Sequence, residues 1–174
     1  MSEKADSYWD KIYAEQQFKF GKAPTEFLVS MLPNLQKGKA LDVAMGEGRN
    51  SVYLAQHGFE VKGFDISKVA VENCNKLASE TGVKLEAKCV DLDMFLFGLM
   101  EYDTIVMTFF KPPVTRYYTE MIRALKQGGT LLIESYGVPE MEGAIAKDEF
   151  YKDYYFSSNE ILRHLNVRQV LKSL

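Results

Sequence analysis

Short apolar runs, each closed by glycine or aspartate and followed by a longer amphipathic stretch, recur along this chain. Residues 38–43 predict a buried strand running into the loop 44–48, and about 49–57 predict a helix that stops at Gly58. Residues 59–64 predict a second strand, closed by Asp65. Ser67 is placed to cap the next helix, whose stripe of Val69, Val71, Cys74, Leu77 and Ala78 runs on to Gly82. Residues 83–90, ending at Asp91, read as a third strand, and 104–107, reached through Tyr102 and Asp103, as a fourth. Pro112 and Pro113 predict the opening of a helix with Tyr117, Tyr118, Met121, Ile122 and Leu125 at helical spacing. Gly128 and Gly129 are expected to break that helix ahead of a fifth strand at 130–134. Two helices precede the first strand: one marked by Tyr8, Trp9, Ile12 and Tyr13, the other at about 25–32. A last helix is expected at 159–165 and a last strand at 167–171.

Near-continuously apolar strands that alternate with helices argue an α/β fold, a doubly wound, mostly parallel sheet covered on both faces. The 174 residues suit a single domain, 1–174, with 1–36 as an N-terminal helical cover. A formal net charge of -3 argues against a nucleic-acid binder, which needs a basic field to meet phosphates. Two cysteines, Cys74 and Cys89, and two histidines, His57 and His164, are too few and too scattered for a disulfide framework or a metal centre. Residues 1–6 carry acids and no apolar run, so no secretion signal is expected, and no segment approaches the ~20 apolar residues that span a bilayer. The expected setting is the cytoplasm.

In such a sheet, ligands bind outside the carboxyl ends of the strands. Gly46 and Gly48 in the first loop let the backbone turn sharply and come close to a ligand, and the following helix presents free N–H groups there. Asp65, at the next strand end, suits the vicinal hydroxyls of a ribose, and Asp91, at the third, an exocyclic amine of adenine. These features together predict a nucleoside site. Glu47 would repel a pyrophosphate, and the chain leaves little room for a second domain, so an NAD-type oxidoreductase is disfavoured. A nucleoside carrying an amino acid suits the loop better, with Asp42 acting on its ammonium through water or backbone and Arg49 available to its carboxylate. A non-catalytic nucleoside-binding or assembly module is the other alternative.

The stretch Leu41-Asp42-Val43-Ala44-Met45-Gly46-Glu47-Gly48-Arg49-Asn50-Ser51, followed by Phe64-Asp65-Ile66-Ser67, resembles the class I S-adenosylmethionine-dependent methyltransferases. Within them it is most similar to the tellurite-resistance, thiopurine-methyltransferase-like group. That group also shows a segment like Tyr8-Trp9-Asp10-Lys11-Ile12-Tyr13, a stretch like Phe20-Gly21-Lys22-Ala23-Pro24, and one like Leu125-Lys126-Gln127-Gly128-Gly129. The resemblance implies S-adenosylmethionine as cofactor. It assigns the methionyl part to Asp42, Gly46 and Gly48 with Ala44 and Arg49 beside them, the ribose to Asp65 and Ile66, and the adenine to Asp91 and Leu92. Phe109 would flank the methyl-transfer point. Ala44 stands where the family has the first glycine of its loop and Met45 where cysteine is common; the extra methyl of Ala44 is expected to be harmless if its φ is negative. The family's sheet ends in a C-terminal antiparallel hairpin, which in this chain is expected to be incomplete, leaving a bare edge that invites a homodimer.

Methyl transfer from a sulfonium is an in-line displacement in which the protein sets distance, alignment and dryness, so no catalytic side chain is assigned. The acceptor is expected to be a small molecule, such as a thiol or a metalloid oxyanion. Trp9, Phe20, Phe110, Lys111 and Tyr136 are the expected acceptor residues, Lys111 for its charge and the aromatics as walls or lid. Phe109-Phe110-Lys111-Pro112-Pro113 only faintly echoes the acceptor clamp of nucleic-acid methyltransferases.

Overall fold

The computed structural model of the chain describes residues 3–137, 156 and 160–165. Five parallel strands, β1 (Lys39–Val43), β2 (Glu60–Asp65), β3 (Glu86–Cys89), β4 (Tyr102–Thr108) and β5 (Leu125–Glu134), lie in the order β3-β2-β1-β4-β5. The helices are α1 (Glu3–Glu15), α2 (Glu26–Met31), α3 (Arg49–Gln56), α4 (Lys68–Thr81), α5 (Arg116–Ala124) and α6 (Glu160–Leu165). This is the doubly wound α/β sheet that the strand pattern predicts, and strand order reverses between β1 and β4.

Alternation along the strands builds a core on each face. Leu41, Val43, Ile105 and Met107 point to one side and pack with Tyr117, Tyr118 and Met121 of α5, with Ile161 of α6 against them. Ala40, Val61, Val106 and Leu132 point to the other and pack with Leu28 of α2 and Leu54 of α3. Capping follows local chemistry. Ser67 Oγ accepts from Ala70 N at 3.1 Å, Thr25 Oγ1 accepts from Leu28 N at 3.3 Å, and Gly82 ends α4 at φ +72°.

Two elements depart from the sequence pattern. Pro112 and Pro113 do not open α5, which starts at Arg116. Leu125 belongs to β5, not to the helix, and Gly128 and Gly129 lie inside that strand. The register with β4 shifts there, Tyr102 pairing with Leu125 and Thr104 with Thr130. Gly128 at φ +79° absorbs the extra residues as a bulge, so pairing with β4 overrides the break that two glycines suggest. β3 is shorter than expected because Val83 and Leu85 turn inward against α3 and α4. The expected strand at 167–171 and the C-terminal hairpin lie outside the described residues. No described helix is long and apolar enough to cross a membrane.

Candidate functional site

A cleft of about 660 Å³ opens over the carboxyl ends of β1, β2, β4 and β5. Its floor is the loop between β1 and α3. Gly46 has φ +55°, and a Cβ placed on it would lie 2.9 Å from Tyr13 Oη, so glycine leaves room for the Tyr13 ring of α1 to come down on the loop. Gly48, at φ +81°, caps α3, and a Cβ there would run into Cys74 of α4. Gly48 is buried and does not itself line the cleft.

Ala44 lines the cleft at φ +53°, in the left-handed region, so the condition for a harmless methyl, a negative φ, is not met. An L-residue pays about 1–2 kcal/mol there, which glycine avoids. Ala44→Gly is therefore expected to raise stability, by about 0.5–1 kcal/mol after the extra entropy of glycine in the unfolded chain is subtracted. That is roughly 2 °C in thermal melting, and an unchanged or lower melting point would contradict the strain argument. Phe109 carries the same strain at φ +53°, its N–H fixed to Glu134 O at 2.7 Å.

Asp65 ends β2 and is buried beside the loop. Its Oδ2 accepts from Gly46 N at 2.8 Å and its Oδ1 from Ser67 N at 2.9 Å, so one carboxylate ties the loop to the start of α4. Burial pushes its pKa up to about 6 against these hydrogen bonds, with Asp10 adding repulsion. Ile66, Val90 and Leu92 continue the wall from Asp65. Asp91 itself is not on that wall; its Oδ1 accepts from Asp93 N at 3.0 Å, capping a short 3-10 turn.

Asp42 lies one layer deeper, in β1 under the loop. Ser51 Oγ donates to its Oδ2 at 2.6 Å, while its buried Oδ1 has no hydrogen-bond partner among the described residues. Burial is the main cause that pushes its pKa up to about 7, and the Ser51 hydrogen bond opposes it. It does not line the cleft, which agrees with an indirect role.

The N-terminal cover reaches the cleft. Trp9 stacks on Tyr13 with ring centroids 5.8 Å apart, and both line it together with Phe20. Several polar ties hold this segment, among them those of Glu47, Arg49 and Asp10. Glu47 Oε1 accepts from Phe18 N at 2.6 Å and from Asn73 Nδ2 at 2.8 Å. Arg49 Nη1 donates to Phe20 O at 2.7 Å, and its guanidinium lies 5.8 Å from the Phe109 ring centre. Asp10 Oδ1 accepts from Ser67 Oγ at 2.5 Å. Glu47 and Arg49 thus brace the cover, a use that the sequence reading missed. Asp10 and Asn50 were missed outright. Asn50 accepts from Thr25 N at 3.0 Å and donates to Thr108 Oγ1 at 3.1 Å, joining α2, α3 and β4.

At the far end, Phe109 and Tyr136 pack with ring centroids 4.7 Å apart, and Phe110 joins the wall. Lys111 does not line the cleft: its Nζ lies 2.7 Å from Glu160 Oε1 of α6. Glu134, also on the wall, was missed, although the strand-end rule that picks out Asp65 applies to it equally.

This geometry can be set beside known proteins. The chain is 31% identical over 138 residues to the ribosomal protein L11 methyltransferase of Dictyoglomus thermophilum, covering 75% of this chain and 45% of that protein. It is 29% identical over 102 residues to the tRNA (uracil(54)-C(5))-methyltransferase of Pyrococcus abyssi, covering 58% and 24%. The chain spans less than half the length of the first curated relatives it matches. Among solved structures, TehB from Haemophilus influenzae aligns with a TM-score of 0.72 at 19% identity, over 94% of this chain and 57% of that one. A structure described by the conversion of a disulfide bond into a thioacetal group during echinomycin biosynthesis aligns with a TM-score of 0.72 at 24% identity, over 92% and 77%. These likenesses show the fold, that of class I methyltransferases. A methyltransferase domain matches residues 40–129, from the first residues of β1 to the bulge of β5. Because that match takes in more than half of the sequence and the loop with its aspartates, the chain belongs to the methyltransferase domain family.

Proposed function

We propose that the cleft binds S-adenosylmethionine and directs its methyl group to a small-molecule acceptor. The observation that carries this reading is Asp65: a buried carboxylate held at a strand end by Gly46 N and Ser67 N, next to the apolar wall of Ile66, Val90 and Leu92. Each of its oxygens keeps a second lone pair for a ribose hydroxyl. The residues fit the group in charge as well, since Glu47 and Asp65 surround the loop with negative potential suited to an ammonium and a sulfonium. Asp65 would hold the ribose, the apolar wall the adenine, and the loop from Ala44 to Glu47 the methionyl part, with Asp42 acting from beneath. When bound, the cofactor supplies a methyl group activated by positive sulfur.

The chain's own residues position and dry the reactants. Trp9, Tyr13 and Phe20 form an aromatic lid within the N-terminal cover, 1–36, and exclude water from the cleft. The braces from Glu47, Arg49 and Asp10 hold that lid down. Likeness to TehB supports the tellurite-resistance, thiopurine-methyltransferase-like subgroup, and the modest volume of the cleft, about 660 Å³, supports a small acceptor over a macromolecular one. A cytoplasmic setting belongs to the same reading.

Calorimetry with S-adenosylmethionine and S-adenosylhomocysteine tests the assignment, and both are expected to bind at a single site. Trp9→Ala is expected to weaken both by about tenfold, the value of one lost aromatic wall. Absence of binding by either compound would remove the methyl-transfer reading, and an unchanged affinity in Trp9→Ala would remove the lid.

A further inference from the structure

The acids that line the cleft are Glu26, Glu47, Asp65 and Glu134, against a single base, Arg49. Glu47 is spent on Phe18 N and Asn73, Asp65 on Gly46 N and Ser67 N, and Arg49 on Phe20 O. Glu134 is different. Its Oε2 is buried, with no hydrogen-bond partner among the described residues. In β5, Leu132 faces Val106 within one core, and two residues further on Glu134 and Thr108 pair in register on that same face.

A buried carboxylate oxygen without a donor is costly unless a ligand supplies one. Beside it on the cleft wall stand the rings of Phe109 and Tyr136, whose faces attract positive charge. Glu26, exposed at the start of α2, adds another negative charge to the lining of the cleft.

Resting on the methyl-transfer reading, we propose that Glu134 selects the acceptor: a small amine that binds as its ammonium against Phe109 and Tyr136, gives one N–H proton to Glu134 Oε2, and then attacks the methyl through the freed lone pair as the S–CH3 bond breaks. A metalloid oxyanion or a thiolate would meet the unpartnered Glu134 carboxylate, while Arg49, 5.8 Å from the Phe109 ring, is tied to Phe20 O. Lys111, the cation that would have welcomed either one, is turned to Glu160 instead. Glu134 is thus the specificity residue, and the aromatic pair is the platform.

The test uses three compounds of one shape and different charge: benzylamine, benzyl alcohol and benzoate. Each is titrated by calorimetry into the full chain saturated with S-adenosylhomocysteine. Benzylamine is expected to bind at least ~10-fold tighter than benzyl alcohol, the worth of one charge-assisted hydrogen bond, and benzoate weakest of all. Glu134→Gln is expected to bring benzylamine to within ~3-fold of benzyl alcohol while leaving the affinity for S-adenosylhomocysteine unchanged. Should Glu134→Gln not fold, the unmodified chain decides alone through the order of the three compounds. Benzoate binding as tightly as benzylamine, or a preference for the amine that survives Glu134→Gln, overturns the proposal while the cofactor assignment stands. Failure of S-adenosylhomocysteine to bind overturns both.

Discussion

Asp65→Asn is expected to weaken binding of S-adenosylmethionine by ~100-fold or more, while the melting temperature of the unliganded protein moves by only a few degrees. The loss of affinity comes from two charge-assisted hydrogen bonds to a ribose diol, each worth about 1.5–3 kcal/mol. Asparagine keeps one acceptor oxygen, but it turns an N–H₂ toward either Gly46 N or Ser67 N, which are both donors. Losing one of these acceptors costs about 1–3 kcal/mol. An opposing gain nearly cancels it. The Asp65 pKa, up from 3.8 to about 6, records a penalty of about 3 kcal/mol for keeping this carboxylate ionised at neutral pH, and the neutral amide removes that penalty along with the repulsion from Asp10. A residue whose loss spares the fold and abolishes binding is one retained for its ligand. Calorimetry and thermal melting at pH 7.5 give both readouts. Affinity kept within a few-fold would show that the ribose is held elsewhere.

How legible was this in the sequence? Where local chemistry and tertiary packing agree, the reading holds to within a residue or two: Ser67 and Gly82 bound α4, and the loop with its glycines sits where the strand pattern puts it. It fails where long-range pairing decides. Gly128 and Gly129 read as a break, but β4 draws them into a bulged strand. The reading of the site fails for the same reason. Asp65, at a strand end, carries its own signal. Asp10 reaches a partner 57 residues away and Asn50 one 25 away, and no spacing in the chain announces either contact. Lys111 shows the converse, since a basic residue next to the expected acceptor point invites a role that its ion pair with Glu160 takes up. The sign of φ at Ala44 also follows from the closed loop geometry and not from any local preference of alanine.

The unliganded protein is expected to become more stable as the pH falls from 8 to 5.5, opposite to the usual trend for carboxylates held in ion pairs. In the unfolded chain Asp42 ionises near 3.8, while in the folded state burial holds its pKa at about 7. Between those values the folded state keeps a proton that the unfolded chain gives up, so stability is fullest below the lower value and is lost as pH rises through the upper one. Three pKa units correspond to about 4 kcal/mol, and Asp65, at about 6, adds to the same slope. Surface pairs such as Lys22–Glu80 act in the other direction, but the Lys22 ammonium holds the Glu80 pKa below 4.5, so they titrate beneath this interval. The melting temperature should accordingly rise by about 5–10 °C over that interval, and Asp42→Asn should remove most of the rise. A flat profile in the unmodified chain, or a slope that Asp42→Asn leaves untouched, would mean that Asp42 stays ionised in the fold. The same proton bears on function. A bound ammonium favours the ionised form of Asp42, so binding of S-adenosylmethionine near pH 6.5 is expected to release a proton. Calorimetry in buffers of different ionisation enthalpy detects that release, and it should vanish in Asp42→Asn.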